Sequence, residues 1–536
     1  MATPSLAMIP SAIADSKVYS VLPNNGDGDF TFNRDSSATR VGQNGLIQTV
    51  GFFGNNFVTN GTFETDTDWT KGTGWTIGSG VASCDGVQTG SYLSQTSSST
   101  LVLGKTYKVN FDLIHTSGTL LFMLASSNPL TNTSGNITTG GSKEFYITIS
   151  SLSDQLIYFR SNLFNGSIDN VSVKEVTGDQ PRLNYDISNG VVQSCPSLLL
   201  EPASTNLITY SEDFSQWTSD TNASITSNSI ISPDGTQNAD KLIAGSSTAR
   251  QAIKFNLTAS GDISAYVFAK KGEYTVIQLT DASSPSAFAN FDLENGLVGS
   301  TDTYTANIEN YGNGWFKCSI TYNSVGSINS FRLSITQSST SARLVNFAGN
   351  NSDGLYIYGA QVEQLSYATS YIPNSGQSAG VTRAAETCLD AGNASTFNDS
   401  EGVLYAEISK KSGNTATTAI SLYSGSASNS VSLYYFSTTN VYVDIFNSSG
   451  TITMNIGTIN TSVLNKIAVK YKNGDNALWL NGVEVATSSG AVALSGLDRI
   501  DFNYADGTSS FHGNTKDIRV YNEALTDAQL TVLTTI

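Results

Sequence analysis

The sequence predicts an all-β chain of tandem antiparallel β-sandwiches, followed by one short C-terminal helix. Apolar and polar residues alternate with a period of two along much of the chain, which is typical of half-buried strands. Asn-Gly pairs and other Gly-rich turns separate the alternating runs. Only 13% of the 536 residues are charged, against about 25% in an ordinary soluble domain. With 39% hydrophobic residues, the chain can form several cores, at about 100–200 residues per domain.

The clearest alternating run covers residues 263–269. Its odd-numbered positions hold Ile, Ala and Val, whereas Tyr266 and Phe268 lie between them. Successive side chains of a strand point to opposite faces of the sheet. We therefore expect one face of this strand to enter a core and the other to carry two aromatic rings.

The same pattern returns near the C-terminus, at residues 441–445. Three aliphatic residues there alternate with Tyr442 and Asp444. Downstream, the Asn-Gly pairs at residues 473–474 and 481–482 interrupt further apolar runs. Both central residues of a type I′ turn need a positive φ, which Asn and Gly tolerate, so these pairs predict hairpins.

One helix is predicted at the end of the chain. Thr526 and Gln529 have the spacing of a capping box, and Leu525 and Leu530 could form the accompanying hydrophobic staple. Asp527 would lie in the first turn, where the helix dipole favours a negative charge.

An internal similarity suggests two diverged copies of one sandwich. Residues 60–64 lead into Trp69 and Trp75, and residues 211–214 lead into Trp217. Each opening precedes a strand-rich block of similar length, as expected of a repeat.

Composition and charge exclude several classes of function. The net charge of −17 and the pI of about 4.5 argue against a groove that binds nucleic acid phosphates. Only His115 and His512 are present, which leaves little room for histidine catalysis or a multi-histidine metal centre. No stretch approaches the roughly 18 apolar residues of a membrane span, and residues 1–20 have no secretion-signal pattern. The four cysteines match no metal or disulfide spacing, which predicts buried thiols in a reducing cytoplasm.

Two separated stretches resemble one module that is common in bacteriophage tail and fibre proteins. Residues 30–41 and 44–47 resemble its opening, and residues 181–185 and 195–202 resemble its continuation. These parts usually run together in the phage module. The resemblance therefore implies a sandwich inserted into an exposed loop.

The inserted block, residues 55–177, resembles carbohydrate-binding modules of the jelly-roll type through residues 60–64 and 168–171. The resemblance implies a structural calcium held by Glu64 and Asp169, although calcium needs six or more oxygen ligands. The alternative, an exposed carboxylate pair without metal, stays open. Calcium is the one cofactor suggested by the sequence.

Aromatic rings provide candidate sugar platforms, because they offer flat apolar faces beside polar groups. In the inserted block, the candidate carbohydrate-binding residues are Trp75, Tyr92 and Tyr158. The alternative for Trp75 is a buried, packed ring. Three other tryptophans lie within apolar alternation and are predicted to be core residues: Trp217, Trp315 and Trp479.

The last part of the chain resembles the concanavalin A-like, laminin-G-type sandwich. The resemblance rests on the hairpins at residues 466–471 and 478–485 and on the closing segment 511–527. The predicted domain boundaries are accordingly 1–54, 55–177, 178–390 and 391–536.

The sequence predicts no catalytic site. Glycosidases need two positioned carboxylates, and glucanases of the concanavalin A-like fold carry theirs as a Glu-x-Asp-x-Glu run, which is absent here. Asp498 and Asp501 would face opposite sides of one strand. We therefore expect a protein that is not an enzyme.

These resemblances predict a non-enzymatic phage virion protein: a fibre, appendage or surface decoration. Its partners would be other virion proteins and host cell-surface glycans, with no nucleic acid and no membrane span. The apolar run within residues 1–20 would attach it to the particle or to sister subunits, because a free tail rarely keeps such a run exposed. A homo-oligomer is expected, with a trimer as the form common in such appendages. The expected location is the virion, assembled in the host cytoplasm.

Two alternatives stay open. A bacterial surface adhesin or polysaccharide-binding protein could use the same modules. A polysaccharide hydrolase would need paired acids or a further catalytic domain.

Overall fold

The computed structural model describes residues 2–103, 105–126, 132–177, 179–281, 287–425 and 428–536. Within these ranges, the regular elements are antiparallel strands, one single-turn 3₁₀ helix (Phe214–Gln216) and one α-helix (Asp527–Thr534). The all-β prediction is confirmed. The strands form three sandwiches and a set of short strands between them.

The first sandwich, residues 52–177, is built on two long strands that pair along most of their length. Shifts of register between Asn110 and Thr119 bend this pair, so that the strands wrap around one aromatic-rich core. The strands are Phe52–Asn56, Thr70–Lys71, Trp75–Gly78, Val81–Asp85, Thr89–Thr96, Thr106–Leu124, Thr133–Ile137, Gly141–Thr148 and Leu156–Thr177. The first and last of them run side by side, so the chain enters and leaves the sandwich at one place.

The second sandwich, residues 218–363, repeats this construction. Its two long strands also pair with interrupted register, and its core is separate from the first. The strands are Thr218–Ser219, Ala223–Ile230, Ala239–Ala244, Gln251–Lys270, Val276–Asp281, Phe288–Asp292, Leu297–Asp302, Thr305–Gly312, Trp315–Thr336 and Gly354–Glu363.

The C-terminal sandwich packs a five-stranded sheet on a larger one. The five-stranded sheet contains Thr418–Tyr423, Asn429–Tyr435, Val441–Asn447, Gly450–Ile456 and Arg499–Asp501. The larger sheet contains Glu401–Lys410, Asn465–Lys472, Asn476–Leu480, Val483–Ser488 and Gly513–Tyr521, and three strands from earlier in the chain: Leu6–Met8, Arg182–Asn184 and Ser197–Leu200.

Both sequence predictions for this sandwich are confirmed. The aliphatic residues of 441–445 lie in the core, and Tyr442 and Asp444 lie on the other face, half-buried. The helix begins with the predicted capping box, in which Thr526 and Gln529 cap each other. Leu525 and Leu530 are buried together.

Short strands between the sandwiches form what we call the junction, from residues 13–50, 182–206 and 381–389. They are Ile13–Ala14, Lys17–Val18, Phe30–Asn33, Ala38–Val41, Ile47–Val50, Ile187–Ser188, Val191–Val192, Ser204–Asn206, Val381–Arg383 and Thr387–Leu389. The two phage-module-like stretches meet here. The Val41 amide donates to Asn184 Oδ1 at 2.9 Å, and the Tyr185 amide donates to the Val41 carbonyl at 3.0 Å.

The N-terminal apolar run is not left for an outside partner. Leu6 and Met8 have no exposed surface, and their strand pairs with Ile518 to Val520 of the C-terminal sandwich. The argument for attachment through this run is therefore wrong: the chain buries it within its own sheet.

The prediction of buried thiols also needs one correction, because Cys195 is exposed while the other three cysteines are buried.

Candidate functional site

A cleft opens between the second sandwich, the junction and the C-terminal sandwich. Its cavity measures about 340 Å³, which lies within the range of small-molecule sites. One wall is a sheet face of the second sandwich, and another comes from Arg40 and Tyr185 of the junction. The loop at residues 366–371 and the loop at residues 411–413 complete the lining. Ser366 Oγ donates to the Gly413 carbonyl at 2.9 Å and joins the two loops.

Strand alternation places the floor of the cleft. Ala265 and Val267 enter the core of the second sandwich, so Tyr266 and Phe268 must face the opposite side, as predicted from the sequence. Lys317 is the cross-strand partner of Phe268 and lies on the same face. These side chains line the cavity.

Tyr266 and Lys317 are two polar groups held at low exposure on this floor. The Lys317 ammonium lies 4.5 Å from the centroid of the Tyr266 ring, a cation–π contact. The nearby Glu309 carboxylate is 3.9 Å from the ammonium, too far for a hydrogen bond. The Lys317 side chain is only 8% exposed.

The Tyr266 hydroxyl is fully buried and has no hydrogen-bond partner among the described residues. Burial, reinforced by the charge of Glu363, holds the pKa of Tyr266 well above its ordinary value. The hydroxyl therefore stays protonated and is a donor without an acceptor. Leaving such a group unpaired costs about 1–3 kcal/mol, and a ligand in the cleft does not reach it, because the hydroxyl is fully buried.

A buried ion network supports the junction wall of the cleft. Arg182 donates to Glu386 through two nitrogens and to Glu201 at 2.9 Å. Arg34 contacts Glu386 at 2.9 Å, and Arg383 contacts Glu201 at 3.1 Å. All five side chains are at most 1% exposed.

Both acids of this network are ionised. Burial opposes their charge, but the arginines outweigh it and hold the pKa values of Glu201 and Glu386 below the ordinary range. Glu201 also accepts hydrogen bonds from the amide and hydroxyl of Ser370, at 2.9 and 2.6 Å. With its oxygens committed in this way, Glu201 lines the cleft as a structural group and not as a free acid.

The remaining lining combines donors, acceptors and rings. The Arg40 Nε is buried without a partner among the described residues, and burial lowers the pKa of this guanidinium. Asn307 and Glu309 are exposed acceptors, and Tyr185 and Tyr311 are half-buried rings. Such a surface suits a ligand with both hydroxyl groups and an apolar face.

The structure separates the three predicted sugar-platform residues. Trp75 is 4% exposed and packs on Phe164 in the core, with ring centroids 6.0 Å apart. A ring buried in this way cannot stack on a sugar, so the structure corrects that candidate. The strand places Trp75 on the inward face, where its large apolar ring is covered.

Tyr92 and Tyr158 do lie together, outside the main core. Their rings meet edge to face at 5.8 Å, and the Tyr158 hydroxyl donates to Asp154 at 2.7 Å. Tyr158 is 6% exposed and packs with Leu121 and Met123. Only Tyr92, which is half-buried, retains an accessible part of its ring.

The two proposed calcium ligands, Glu64 and Asp169, are too few to bind calcium by themselves. Glu64 is exposed, and Asp169 is half-buried opposite Asp112 on the neighbouring strand. Over the described ranges, no three His, Cys, Asp or Glu side chains form a group suited to a metal. Two carboxylates fall short of the required oxygens, so calcium at this place stays a prediction.

Sequence reasoning found the strand face of the cleft but not the cleft. The alternation at residues 263–269 predicted two aromatic rings on the face of the strand that lies outside the core, and this was the one indication in the sequence of the cleft floor. Arg40 and Tyr185 lie within the two stretches that resemble the phage module, but nothing in the sequence related them, or Lys317 and Lys411, to one site, because the four meet only through tertiary packing. In the described part of the chain, no helix is long and apolar enough to cross a membrane.

No protein-family model matches the chain, and no curated protein matches it. Among solved structures, the chain is similar to the CBM40 of the Ruminococcus gnavus IT-sialidase bound to alpha2,3 sialyllactose. The identity is 21% and the TM-score 0.24, over 26% of this chain and 84% of that one.

Two further solved structures are similar to this chain at low identity. Domain 4 of AbnA, a GH43 extracellular arabinanase from Geobacillus stearothermophilus, in complex with arabinotriose, shows 18% identity and a TM-score of 0.24, over 28% of this chain and 73% of that one. Domains LG4-5 of the mouse laminin alpha1 chain show 9% identity and a TM-score of 0.20, over 65% and 96%. Scores this low assign neither a family nor a ligand to this chain.

Proposed function

We propose that this chain is a non-enzymatic glycan-binding protein and that the cleft is its main binding site. The observation that carries this proposal is the cleft floor, where the Lys317 side chain is only 8% exposed and the Glu309 carboxylate, at 3.9 Å, is too far from its ammonium to accept a hydrogen bond. A sugar hydroxyl or carboxylate that enters the cleft would accept a hydrogen bond from this ammonium. The half-buried rings of Tyr185 and Tyr311 would contact the apolar face of the sugar.

The acids of the cleft support binding over bond cleavage. Glycoside hydrolysis needs one protonated and one ionised carboxyl group flanking the bond. Three acids line the cleft: Glu201 is tied to arginines, Asp186 is half-buried in the junction, and Glu309 is exposed on the rim. This arrangement favours a protein that holds a glycan without cleaving it.

A glycan array probed with the labelled full chain tests the proposal. We expect binding to a subset of glycans that falls about tenfold or more in Lys317→Met, because a hydrogen bond to a charged group contributes about 1.5–3 kcal/mol. Asn307→Ala, at an exposed position, should also weaken binding without a folding defect. The matched control is Lys271→Met, which removes an exposed lysine paired with Glu294. Binding that survives both cleft substitutions, or no binding by the wild-type chain, would contradict the proposal.

For the biological setting, we propose a phage virion protein, a fibre, appendage or surface decoration, present as a homo-oligomer with a trimer as the expected form. Its support is the phage-module resemblance of residues 30–47 and 181–202, which the fold brings together in the junction. Many copies on one particle would strengthen weak sugar contacts through effective concentration. The alternative is a bacterial surface adhesin or polysaccharide-binding protein.

Electron microscopy with an antibody against this chain distinguishes the two settings. Labelling of purified particles supports the virion role, and labelling of uninfected bacterial cells supports the adhesin. Light scattering of the purified chain gives the copy number, for which we expect three.

A further inference from the structure

The outer face of the five-stranded sheet carries a second set of rings, far in sequence from those of the cleft. Tyr434 and Tyr442 are direct cross-strand partners, and their rings stack with centroids 5.6 Å apart and planes 14° apart. Tyr504 meets Tyr434 edge to face at 5.7 Å. Phe436 meets Tyr442 at 5.5 Å. We call these four residues the tyrosine platform.

The platform is accessible. Phe436 is 56% exposed, and the three tyrosines are half-buried. The strands that bear Tyr434 and Tyr442 supply the core of the C-terminal sandwich from their opposite faces, and none of the four rings belongs to that core. A contiguous apolar patch at the surface, rimmed by polar residues, is typical of an interaction site.

Asp444 fixes the orientation of the platform. Its carboxylate accepts hydrogen bonds from the hydroxyls of Tyr434 at 2.9 Å, Tyr504 at 3.2 Å and Thr453 at 2.6 Å. The two tyrosines bind one oxygen and Thr453 binds the other. A carboxylate offers about four acceptor positions, so the oxygen that faces Thr453 can accept one more donor.

A row of polar side chains runs beside the rings. On the edge strand Gly450–Ile456, the outward residues Thr451, Thr453 and Asn455 are all exposed. Asn455 lies opposite Tyr442, and Thr453 lies opposite Asp444. Apolar ring surface and hydrogen-bonding groups therefore run in parallel along neighbouring strands.

The charge of this face selects among ligands. Burial together with the carboxylates of Asp444 and Asp506 raises the pKa of Tyr504 to about 12, so Tyr504 remains neutral beside these two acidic residues. An acidic polysaccharide would be repelled. A protein partner or a second copy would have to bury the Asp444 charge, which is costly without a paired cation. A neutral sugar instead donates a hydroxyl to it.

We propose that the tyrosine platform, with Asp444 and the polar row of Thr451, Thr453 and Asn455, binds a neutral polysaccharide independently of the cleft. Sugar rings lie against the tyrosines, and their hydroxyls pair with the free acceptor of Asp444 and with the threonine and asparagine side chains. The ligand is an extended chain, because the site is an open strip along the strands and not an enclosed pocket.

Native gels that contain a soluble polysaccharide test this inference on the full chain. The probes are hydroxyethylcellulose, galactomannan and dextran as neutral polymers, and alginate as an acidic one. We expect retardation by at least one neutral polymer. Tyr442→Ala should weaken it about tenfold, which corresponds to about 1.4 kcal/mol, because the flat apolar face for the sugar is lost. Tyr442→Phe should retain it, because the ring is kept.

Three controls make the outcome decisive. Tyr19→Ala removes an exposed tyrosine of the junction region and should leave retardation unchanged. Asp444→Asn should weaken the binding of the neutral polymer. In this variant, alginate should still bind more weakly than the neutral polymer does. Lys317→Met should abolish cleft binding on the glycan array and leave neutral retardation intact, which separates this site from the proposed function.

Several results would overturn the inference. One is no retardation by any neutral polymer. Another is retardation lost in Lys317→Met but kept in Tyr442→Ala, which would assign it to the cleft. A third is self-association of the chain that disappears in Tyr442→Ala, which would make the platform a contact between copies. Thermal unfolding shows whether Tyr442→Ala has kept its fold. If it has not, the comparison of Tyr442→Phe, which should bind, with Asp444→Asn, which should bind more weakly, carries the test.

Discussion

The first and second sandwiches share one construction but differ on the sheet face that looks away from the core. In the first, this face bears Tyr92 and Tyr158, which pack with Leu121 and Met123 into a small apolar cluster. In the second, the junction covers part of the equivalent surface and leaves the rest as the cleft. A binding site therefore depends on what packs against a sandwich as much as on the sandwich itself.

The largest expected effect comes from breaking the junction. Arg182→Met leaves Glu201 and Glu386 buried with too little positive charge, which should cost about 3–5 kcal/mol. The free energy of unfolding measured in urea should fall, and the affinity of the cleft for its glycan should fall as well. Arg499→Met is the control, because its partners Asp390 and Asp498 are well exposed, and we expect a loss of at most about 1 kcal/mol. Equal losses in the two variants would show that the junction is not what distinguishes the second sandwich.

The second prediction concerns pH. Burial raises the pKa of Glu212 to about 8 and that of Asp240 to about 7. Both values lie above those of the unfolded chain, so the folded state keeps protons that the unfolded state has released. The contribution of these groups to stability should be full below the unfolded values, near about pH 4, and should fall as the pH rises to about 7 for Asp240 and about 8 for Glu212, by up to about 1.4 kcal/mol per pH unit and group.

Hydrogen exchange of residues 218–363 across this range measures the effect. Glu212→Gln should flatten the pH dependence, because a neutral amide does not titrate. A second sandwich that becomes more stable as the pH rises would contradict the predicted sign.

A pair of matched substitutions sharpens the comparison of the two faces. Tyr158→Phe removes a hydrogen bond to Asp154 and should cost about 1 kcal/mol. Tyr266→Phe removes a hydroxyl that has no partner among the described residues, so it should leave stability unchanged or raise it slightly. Thermal unfolding of the two variants measures the two effects. A larger stability loss in Tyr266→Phe would mean that the hydroxyl has a structural role.

The smallest effect is expected at Asp112 of the first sandwich. Hydrogen bonds from Ser142 at 2.5 Å and Asn170 at 2.7 Å lower the pKa of Asp112. Its contribution is present above the unfolded pKa and lost as the pH falls through the folded value, opposite in sign to that of Glu212. Asp112→Asn should change stability by at most about 0.5 kcal/mol, visible only as a reduced acid sensitivity in hydrogen exchange of residues 52–177.

The features that the sequence predicted correctly are those that depend on residues close together in the chain. The alternation at residues 263–269 and 441–445 gave the buried and outward faces, and the capping box at Thr526 gave the start of the helix. Trp217, Trp315 and Trp479 are buried as expected. Each of these follows from strand or helix periodicity within a few residues.

The parts that were missed depend on distant segments. Arg40, Lys317 and Lys411 come from three separate units, and nothing within a short window relates them. Trp75 could face the core or solvent equally well until the strand partners were known. The N-terminal apolar run indicated that something covers it, but not that the cover lies some 500 residues away on the same chain.

That last pairing has a consequence for synthesis. The strand Leu6–Met8 leaves the ribosome early, yet its partner Gly513–Tyr521 emerges near the end of translation. Until then, the apolar strand remains unpaired with that sheet while the first two sandwiches fold. A nascent chain of this kind is expected to need shielding from aggregation throughout its elongation.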